Sequence, residues 1–319
     1  MAKTVYCVKD EGVTLNRLLT EKGYKLIIGK EVLLDDALAE CDVLVPGVAF
    51  ITDDVLKKAP HLGFVTKLNV GVDRIDIDAC SKRGIYVANT PGTNAISVAE
   101  HTAAMIAASA KKLCQTYMYL HSDDYIWKNA RVYTTELYGK TLSLIGFGNI
   151  GKRVAEIMHG FGMKIMVYGH HVDPNSVPYK ITVTDNLDEA LAAGDFVSIH
   201  VSGRADNEKF IGAKEFDKMK PTAVFLNTTR GFVVDEAALI EALQKGKIAG
   251  AALDTLEQEP TDPKNPLLKM SNVIITPHHA SWTRETRERA QLACFENIEQ
   301  FFAGQIPERA LNKEAIRRN

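Results

Sequence analysis

Leu142-Ser143-Leu144-Ile145-Gly146-Phe147-Gly148-Asn149-Ile150-Gly151 is an apolar, strand-like run that passes into three glycines spaced G-x-G-x-x-G. A helical pattern carrying Val154, Ala155 and Met158 follows. In such a spacing Gly146 permits the tight turn, Gly148 lets the backbone approach a pyrophosphate, and Gly151 lets the helix pack close to the strand. Free N–H groups at the helix start face the phosphate charge. Three glycines alone are weak evidence, but strand before and helix after is the context that gives them meaning. Residues 146–151 are therefore expected to hold a dinucleotide.

The same alternation extends both ways. Val43–Val45, Gly63–Val65, Ile85–Val87, Lys164–Tyr168, Phe196–Ile199, Ala223–Leu226, Gly250–Leu253 and Val273–Ile275 read as strands separated by helical or polar stretches. Near-continuous apolar strands imply burial on both faces, as in parallel sheets covered by helices. The expected class is α/β with doubly wound parallel sheets. Two long helical patterns, Ala95 to about Leu120 and Thr283 to about Phe302, are expected to carry the chain between two domains. One domain then combines 1–97 with 285–319, and the other spans 98–284.

At 319 residues, two hydrophobic cores are expected. With 38 Lys+Arg against 40 Asp+Glu, a net charge of −2 offers no electrostatic case for nucleic acid or an anionic membrane. The start shows no signal-peptide pattern, and no apolar run is long enough to span a bilayer. Five scattered cysteines without a C-x-x-C pair argue against a disulfide framework or zinc site. A cytoplasmic location is expected.

In NAD enzymes of this type the strand after the glycine turn ends in an acid that binds the adenosine ribose. Here it ends Val167-Tyr168-Gly169-His170-His171. Gly169 in place of the acid removes the repulsion toward a 2′-phosphate, and His170 or His171 can donate to one. The cofactor is expected to be NAD or NADP, leaning to NADP; Asp173, four residues beyond Gly169, is the acid that would curl back for NAD.

Three further segments each follow a strand: Asn227-Thr228-Thr229-Arg230-Gly231, Leu253-Asp254-Thr255-Leu256-Glu257-Gln258-Glu259-Pro260 and Thr276-Pro277-His278-His279. Ligands of open α/β sheets bind at that edge. Reducing a 2-oxo acid needs a fixed carboxylate, a hydride and a proton. Arg230 offers a planar, permanently charged fork for the carboxylate. His278 is the expected acid/base, with Glu259 orienting its ring; spacing alone leaves His279 open. His200, Thr228, Thr229, Arg230 and Asp254, at strand ends, are expected on the cofactor, Asp254 toward its nicotinamide end.

Together these segments closely resemble the D-isomer-specific 2-hydroxyacid dehydrogenase family. The resemblance also runs through Val70-Gly71-Val72-Asp73-Arg74-Ile75-Asp76, Asn89-Thr90-Pro91-Gly92, Val98-Ala99-Glu100, Glu136–Leu142, Met219-Lys220-Pro221 and Val233-Val234-Asp235. It implies a Rossmann nucleotide domain, a flavodoxin-like substrate domain built from both chain ends, and a homodimer formed through the nucleotide domain. It implies that Arg230 binds carboxylate with the Val70 and Gly71 amides, that Glu259 supports the histidine, and that His278 rather than His279 transfers the proton. Val45-Pro46-Gly47-Val48-Ala49-Phe50 stands where phosphoglycerate-type members carry an Arg-Ser pair. Phe50 thus reads as an apolar wall for the substrate, with Lys67 the remaining cation for a phosphorylated one. Asn94–His101 is similar to formate dehydrogenase, but that subgroup has Gln where Glu259 stands. Ser202-Gly203 replaces a family proline and implies a looser loop on the nicotinamide side. A dinucleotide-sensing corepressor is the alternative from another class, since those proteins keep the same Arg–Glu–His trio.

Overall fold

The computed structural model describes residues 3–123, 125–203 and 205–314. The chain forms two compact units, residues 1–94 with 282–319 and residues 95–281. Both boundaries fall three residues before the expected ones, and the extreme ends of the expected first domain (Met1, Ala2 and 315–319) lie outside the described residues.

In the first unit, β1 (Thr4–Cys7), α1 (Val13–Glu21), β2 (Lys25–Ile28), α2 (Asp35–Glu40), β3 (Val43–Val45), α3 (Asp53–Lys57), β4 (Phe64–Thr66), α4 (Ile77–Lys82) and β5 (Tyr86–Ala88) alternate strictly. The parallel sheet has the order β2-β1-β3-β4-β5. Alternate side chains of β1 separate its two faces, as a period of two requires. Tyr6 packs with Leu38, Leu56 and Cys80 from α2–α4. Val5 and Cys7 pack with Leu15 and Leu19 of α1 and with Cys294, Ile298 and Phe301 from the end of the chain.

The second unit begins with α5 (Ala95–Ala110) and α6 (Leu113–Leu120). A single helix to Leu120 was the expectation; instead Lys112 adopts φ 50°, a left-handed break between them. The packing explains it. Ala99, Ala103 and Ile106 of α5 are buried, whereas no residue of α6 is. Then come β6 (Thr141–Ile145), α7 (Asn149–Gly160), β7 (Lys164–Tyr168), β8 (Ile181–Thr184), α8 (Leu187–Ala193), β9 (Phe196–Ile199), α9 (Ala213–Phe216), β10 (Val224–Asn227), α10 (Glu236–Gln244), β11 (Gly250–Leu253) and β12 (Val273–Ile275). All seven strands are parallel in the order β12-β11-β10-β9-β6-β7-β8. Strand order reverses beside β6, where doubly wound sheets open a crevice. One sheet face packs on α5 and α7, the other on α8–α10.

After β12 the chain returns to the first unit as α11 (Arg284–Phe302), capped by the Thr283 side chain accepting from Thr286 N–H at 3.2 Å. No helix among the described residues is long and apolar enough to cross a membrane.

Candidate active site

The glycine turn lies at the reversal point of the second sheet. Gly146 has φ 103°, and a Cβ there would come within 2.7 Å of the His200 carbonyl oxygen. A Cβ at Gly151 would meet the Gly146 carbonyl oxygen at 2.7 Å, so the turn closes only with glycine at both. Gly148 differs: a Cβ would meet nothing within 4 Å, which leaves that backbone open to an approaching group. It also starts α7 without a side-chain cap, so the first helical N–H groups remain available to an anion. Phe147, Asn149 and Ile150 are carried by this turn and the first turn of α7.

Around it, His200 bonds through Nε2 to Ser198 Oγ at 2.9 Å, while its buried Nδ1 has no partner among the described residues. Burial pulls this imidazole down to about 4, so it is neutral. The Thr228 hydroxyl shares a hydrogen bond with Thr102 (3.1 Å), and that of Thr229 donates to Asn227 Oδ1 (2.8 Å). Gly169, at the tip of β7, bonds to the Thr184 carbonyl; His170 is exposed beside Tyr168, with ring centres 5.5 Å apart. Asp173 accepts the Asn175 N–H and caps its own turn. These residues fit a dinucleotide: open glycine backbone, a bare helix start, and no described carboxylate fixed at the β7 tip.

The three chemical segments converge. Asn227 organises its loop, accepting from Thr229 N–H (2.9 Å) and donating to the Arg230 carbonyl (2.9 Å). Gly231 lets that loop touch the next: a Cβ there would lie 1.9 Å from the Leu256 carbonyl oxygen. Leu256 N–H donates to Glu259 Oε1 at 3.2 Å, and Glu259 Oε2 accepts from His278 Nδ1 at 2.7 Å. Burial alone would raise the Glu259 pKa. The His278 bond and charge, the Leu256 N–H and the nearby Arg230 guanidinium outweigh it and hold the carboxyl below its usual value. An ionised Glu259 accepts only, so His278 Nδ1 carries the proton of that bond and Nε2 is left for chemistry.

His279 is turned elsewhere. Its ring packs edge-on against His101 at 5.1 Å, and its N–H donates to Asp254. Asp254 is almost fully buried, and its carboxylate accepts from Thr276 Oγ1 (2.6 Å), His279 N–H (3.0 Å) and Ala280 N–H (3.0 Å). The structure therefore gives Asp254 an anchoring part in the histidine loop that spacing did not reveal. His101, Asp254 and His279 offer ligand-type atoms within 4.8 Å of one another, but three in-chain donors already occupy that carboxylate.

On the first unit, the Val70 and Gly71 N–H groups have no partner among the described residues, while the Val70 carbonyl accepts from Asn89 (2.6 Å). Phe50 is 62% exposed, with the Arg74 guanidinium 4.9 Å above its ring, and Lys67 is buried. Gly203, in the loop expected to be loose, packs against Arg230: a Cβ there would reach its Cγ at 2.6 Å.

A parallel sheet with a pyrophosphate turn at its reversal point and a Glu-supported histidine beside an arginine defines a nicotinamide-dependent oxidoreductase. Residues 103–280 match the model of the D-isomer specific 2-hydroxyacid dehydrogenase NAD-binding domain. A glyoxylate reductase of Korarchaeum cryptofilum is 37% identical over 295 residues, covering 90% of this chain and 87% of that protein. A D-3-phosphoglycerate dehydrogenase of Methanocaldococcus jannaschii is 38% identical over 291 residues, 90% of this chain but 54% of that protein. An NADPH-dependent glyoxylate/hydroxypyruvate reductase from Sinorhizobium meliloti superposes with a TM-score of 0.88 at 26% identity, over 99% of this chain and 100% of that one. The chain belongs to the D-isomer specific 2-hydroxyacid dehydrogenase family. It is an NAD(P)-dependent oxidoreductase interconverting 2-oxo and 2-hydroxy acids.

Proposed function

We propose that the protein reduces a small 2-oxo acid to the D-2-hydroxy acid, with Arg230 gripping the carboxylate and His278 delivering the proton. The observation that carries this is the 2.7 Å bond from His278 Nδ1 to an ionised Glu259, beside Arg230. The bound nicotinamide supplies the hydride. As the carbonyl oxygen gains negative charge, His278 Nε2–H gives up its proton to it, and the Glu259 carboxylate stabilises the charged imidazole that precedes transfer. In the oxidative direction the same nitrogen accepts the hydroxyl proton. The Val70 and Gly71 N–H groups, without a partner among the described residues, are a pair of donors of the kind a carboxylate takes.

The glyoxylate reductase relatives support a small substrate. Glu259 in hydrogen-bond contact with His278 favours this chemistry over formate oxidation, which releases no proton for such a pair. Gly169 and the exposed His170 support NADPH, and NADPH-bound neighbours are consistent with it. A homodimer is proposed through α6, which buries nothing of its own and exposes Leu113, Tyr117 and Met118, and through the segment after it, which exposes Trp127 and Tyr133. Free cysteines throughout suit a cytoplasmic setting.

The test is a panel of 2-oxo acids, from glyoxylate to bulkier side chains, run with NADH and NADPH. His278→Gln is expected to lose roughly 10²–10⁴-fold in turnover. Near-full activity of that variant would overturn the proton assignment.

A further inference from the structure

His278 has φ 51°, a conformation that non-glycine residues adopt only when their surroundings hold them there. The holding is done by hydrogen bonds to the loop 276–280. Within the strand edge, His278 N–H donates to the Asp254 carbonyl (2.8 Å), and the next two N–H groups donate to the Asp254 carboxylate. Two further bonds come from α5. Ser97 Oγ donates to the Ala280 carbonyl at 2.7 Å, and His101 Nε2 lies 3.0 Å from Thr276 Oγ1. Ser97 and His101 are four residues apart, so they share one face of the helix. That face grips the loop at both ends, on either side of His278.

The direction of each bond is fixed by counting protons. Thr276 gives its hydroxyl proton to Asp254 Oδ1 at 2.6 Å, so its oxygen accepts from His101 Nε2–H. Burial lowers the His101 pKa and the His279 ring adds to that, while Asp254 opposes it. Neutral His101 is thus a donor through Nε2, and Thr276 passes the constraint on to Asp254.

We propose, resting on the acid/base assignment to His278, that Ser97 and His101 are positioning residues for catalysis: they clamp the loop 276–280 against α5 and keep His278 in its left-handed, reactive orientation. Neither touches the reacting atoms. Their effect is on where the imidazole stands, and a displacement of about 1 Å at a catalytic group is enough for a change of roughly 10²-fold in rate.

The experiment compares His101→Leu, His101→Gln and Ser97→Ala with wild type. It uses steady-state kinetics on the best 2-oxo acid of the panel, cofactor titration by fluorescence, and amide hydrogen exchange over residues 276–281. His101→Leu is expected to lower kcat by roughly 10–100-fold while KM and cofactor affinity stay within about threefold. Exchange in the loop accelerates with it. His101→Gln, whose amide N–H reaches toward Thr276, restores most of kcat and of the protection. Ser97→Ala, a small change that preserves folding, moves both readouts in the same direction to a lesser extent. In a His278→Gln background His101→Leu adds little further loss, because the two act as a unit. Unchanged kcat and unchanged exchange in His101→Leu and Ser97→Ala would overturn the proposal, as would full multiplicative losses in the double variant. Were wild type inactive on every 2-oxo acid, the functional assignment would fall, while loop exchange in the same variants would still decide whether α5 holds the loop.

Discussion

Gly231→Ala is the sharpest perturbation available to this site. A Cβ at 231 would lie 1.9 Å from the Leu256 carbonyl oxygen, 2.0 Å from its carbon and 2.4 Å from Glu257 N. All three are backbone atoms, so no side-chain rotation relieves the overlap. Atoms of this kind rest at about 3.5 Å, and the two loops must part by roughly 1 Å or more. One loop carries Arg230 and the other leads to Glu259 through the Leu256 N–H bond. Overpacking of this severity is expected to destabilise by roughly 3 kcal/mol, which for a unit of this size lowers Tm by roughly 6–12 °C. The accompanying shift of Arg230 relative to Glu259 and His278 is expected to lower kcat/KM by roughly 10²-fold. Gly246→Ala is the control, with φ 65° and nothing within 4 Å of its Cβ. It incurs only the left-handed penalty of about 1 kcal/mol and leaves kcat/KM unchanged. Differential scanning calorimetry and steady-state kinetics on both variants make the test. A Tm loss for Gly231→Ala no larger than for Gly246→Ala, with kcat/KM within about threefold of wild type, would refute the claim that contact between these loops assembles the site.

Three further outcomes are expected. Arg230→Lys keeps the charge but loses the planar fork, so KM for the 2-oxo acid rises by roughly 10-fold or more, as initial-rate kinetics will show. Gly169→Asp places a carboxylate at the β7 tip, displacing only the Val172 methyl 2.8 Å from the new Cβ; the ratio of kcat/KM for NADH over NADPH is expected to rise by roughly 10-fold, and no rise would refute the reading of Gly169. His200 stays neutral in the fold down to about 4, whereas in the unfolded chain it protonates near 6.5. The unfolded state then binds the extra proton between those values, so stability is intact above 6.5 and falls with pH toward 4, by up to about 3 kcal/mol. Urea titrations of wild type and His200→Gln across that range should show the slope disappear in the variant.

The strands that lie inside the second sheet were legible because burial on both faces leaves continuous apolar runs, as in Phe196–Ile199 and Gly250–Leu253, all of whose residues are buried. The edge strands β2 and β8 were not, although β5 and β12, also at sheet edges, were. In β2 the pattern is half exposed, and in β8 only Ile181 is buried, so neither stands out from its surroundings. β1 was missed although it is as long and as fully buried as β9 and β11. Lys111-Lys112 interrupts the apolar stripe after α5, and that interruption is the signal a single long helix overlooked. At the site, Arg230, Glu259 and His278 announced themselves by residue type and by position after strands. Spacing could not separate His278 from His279; in the structure the first ring faces Glu259 and the second His101. Ser97 and His101 were visible as a motif, yet their task depends on a loop nearly two hundred residues away in sequence, which no local pattern encodes.

The split of the first unit between the two chain ends governs the order in which the molecule can be made. Strands β1–β5 leave the ribosome early, and α2–α4 can cover one side of their sheet as they emerge. The other side needs Cys294, Ile298 and Phe301 of α11, which emerge only after residues 95–281 have been made. Residues 95–281 are contiguous and can complete their own core while the earlier sheet still shows Val43, Val45 and Phe64 to water. During translation the nascent sheet is therefore the aggregation-prone part of the chain, and any truncation before α11 leaves it in that state for good.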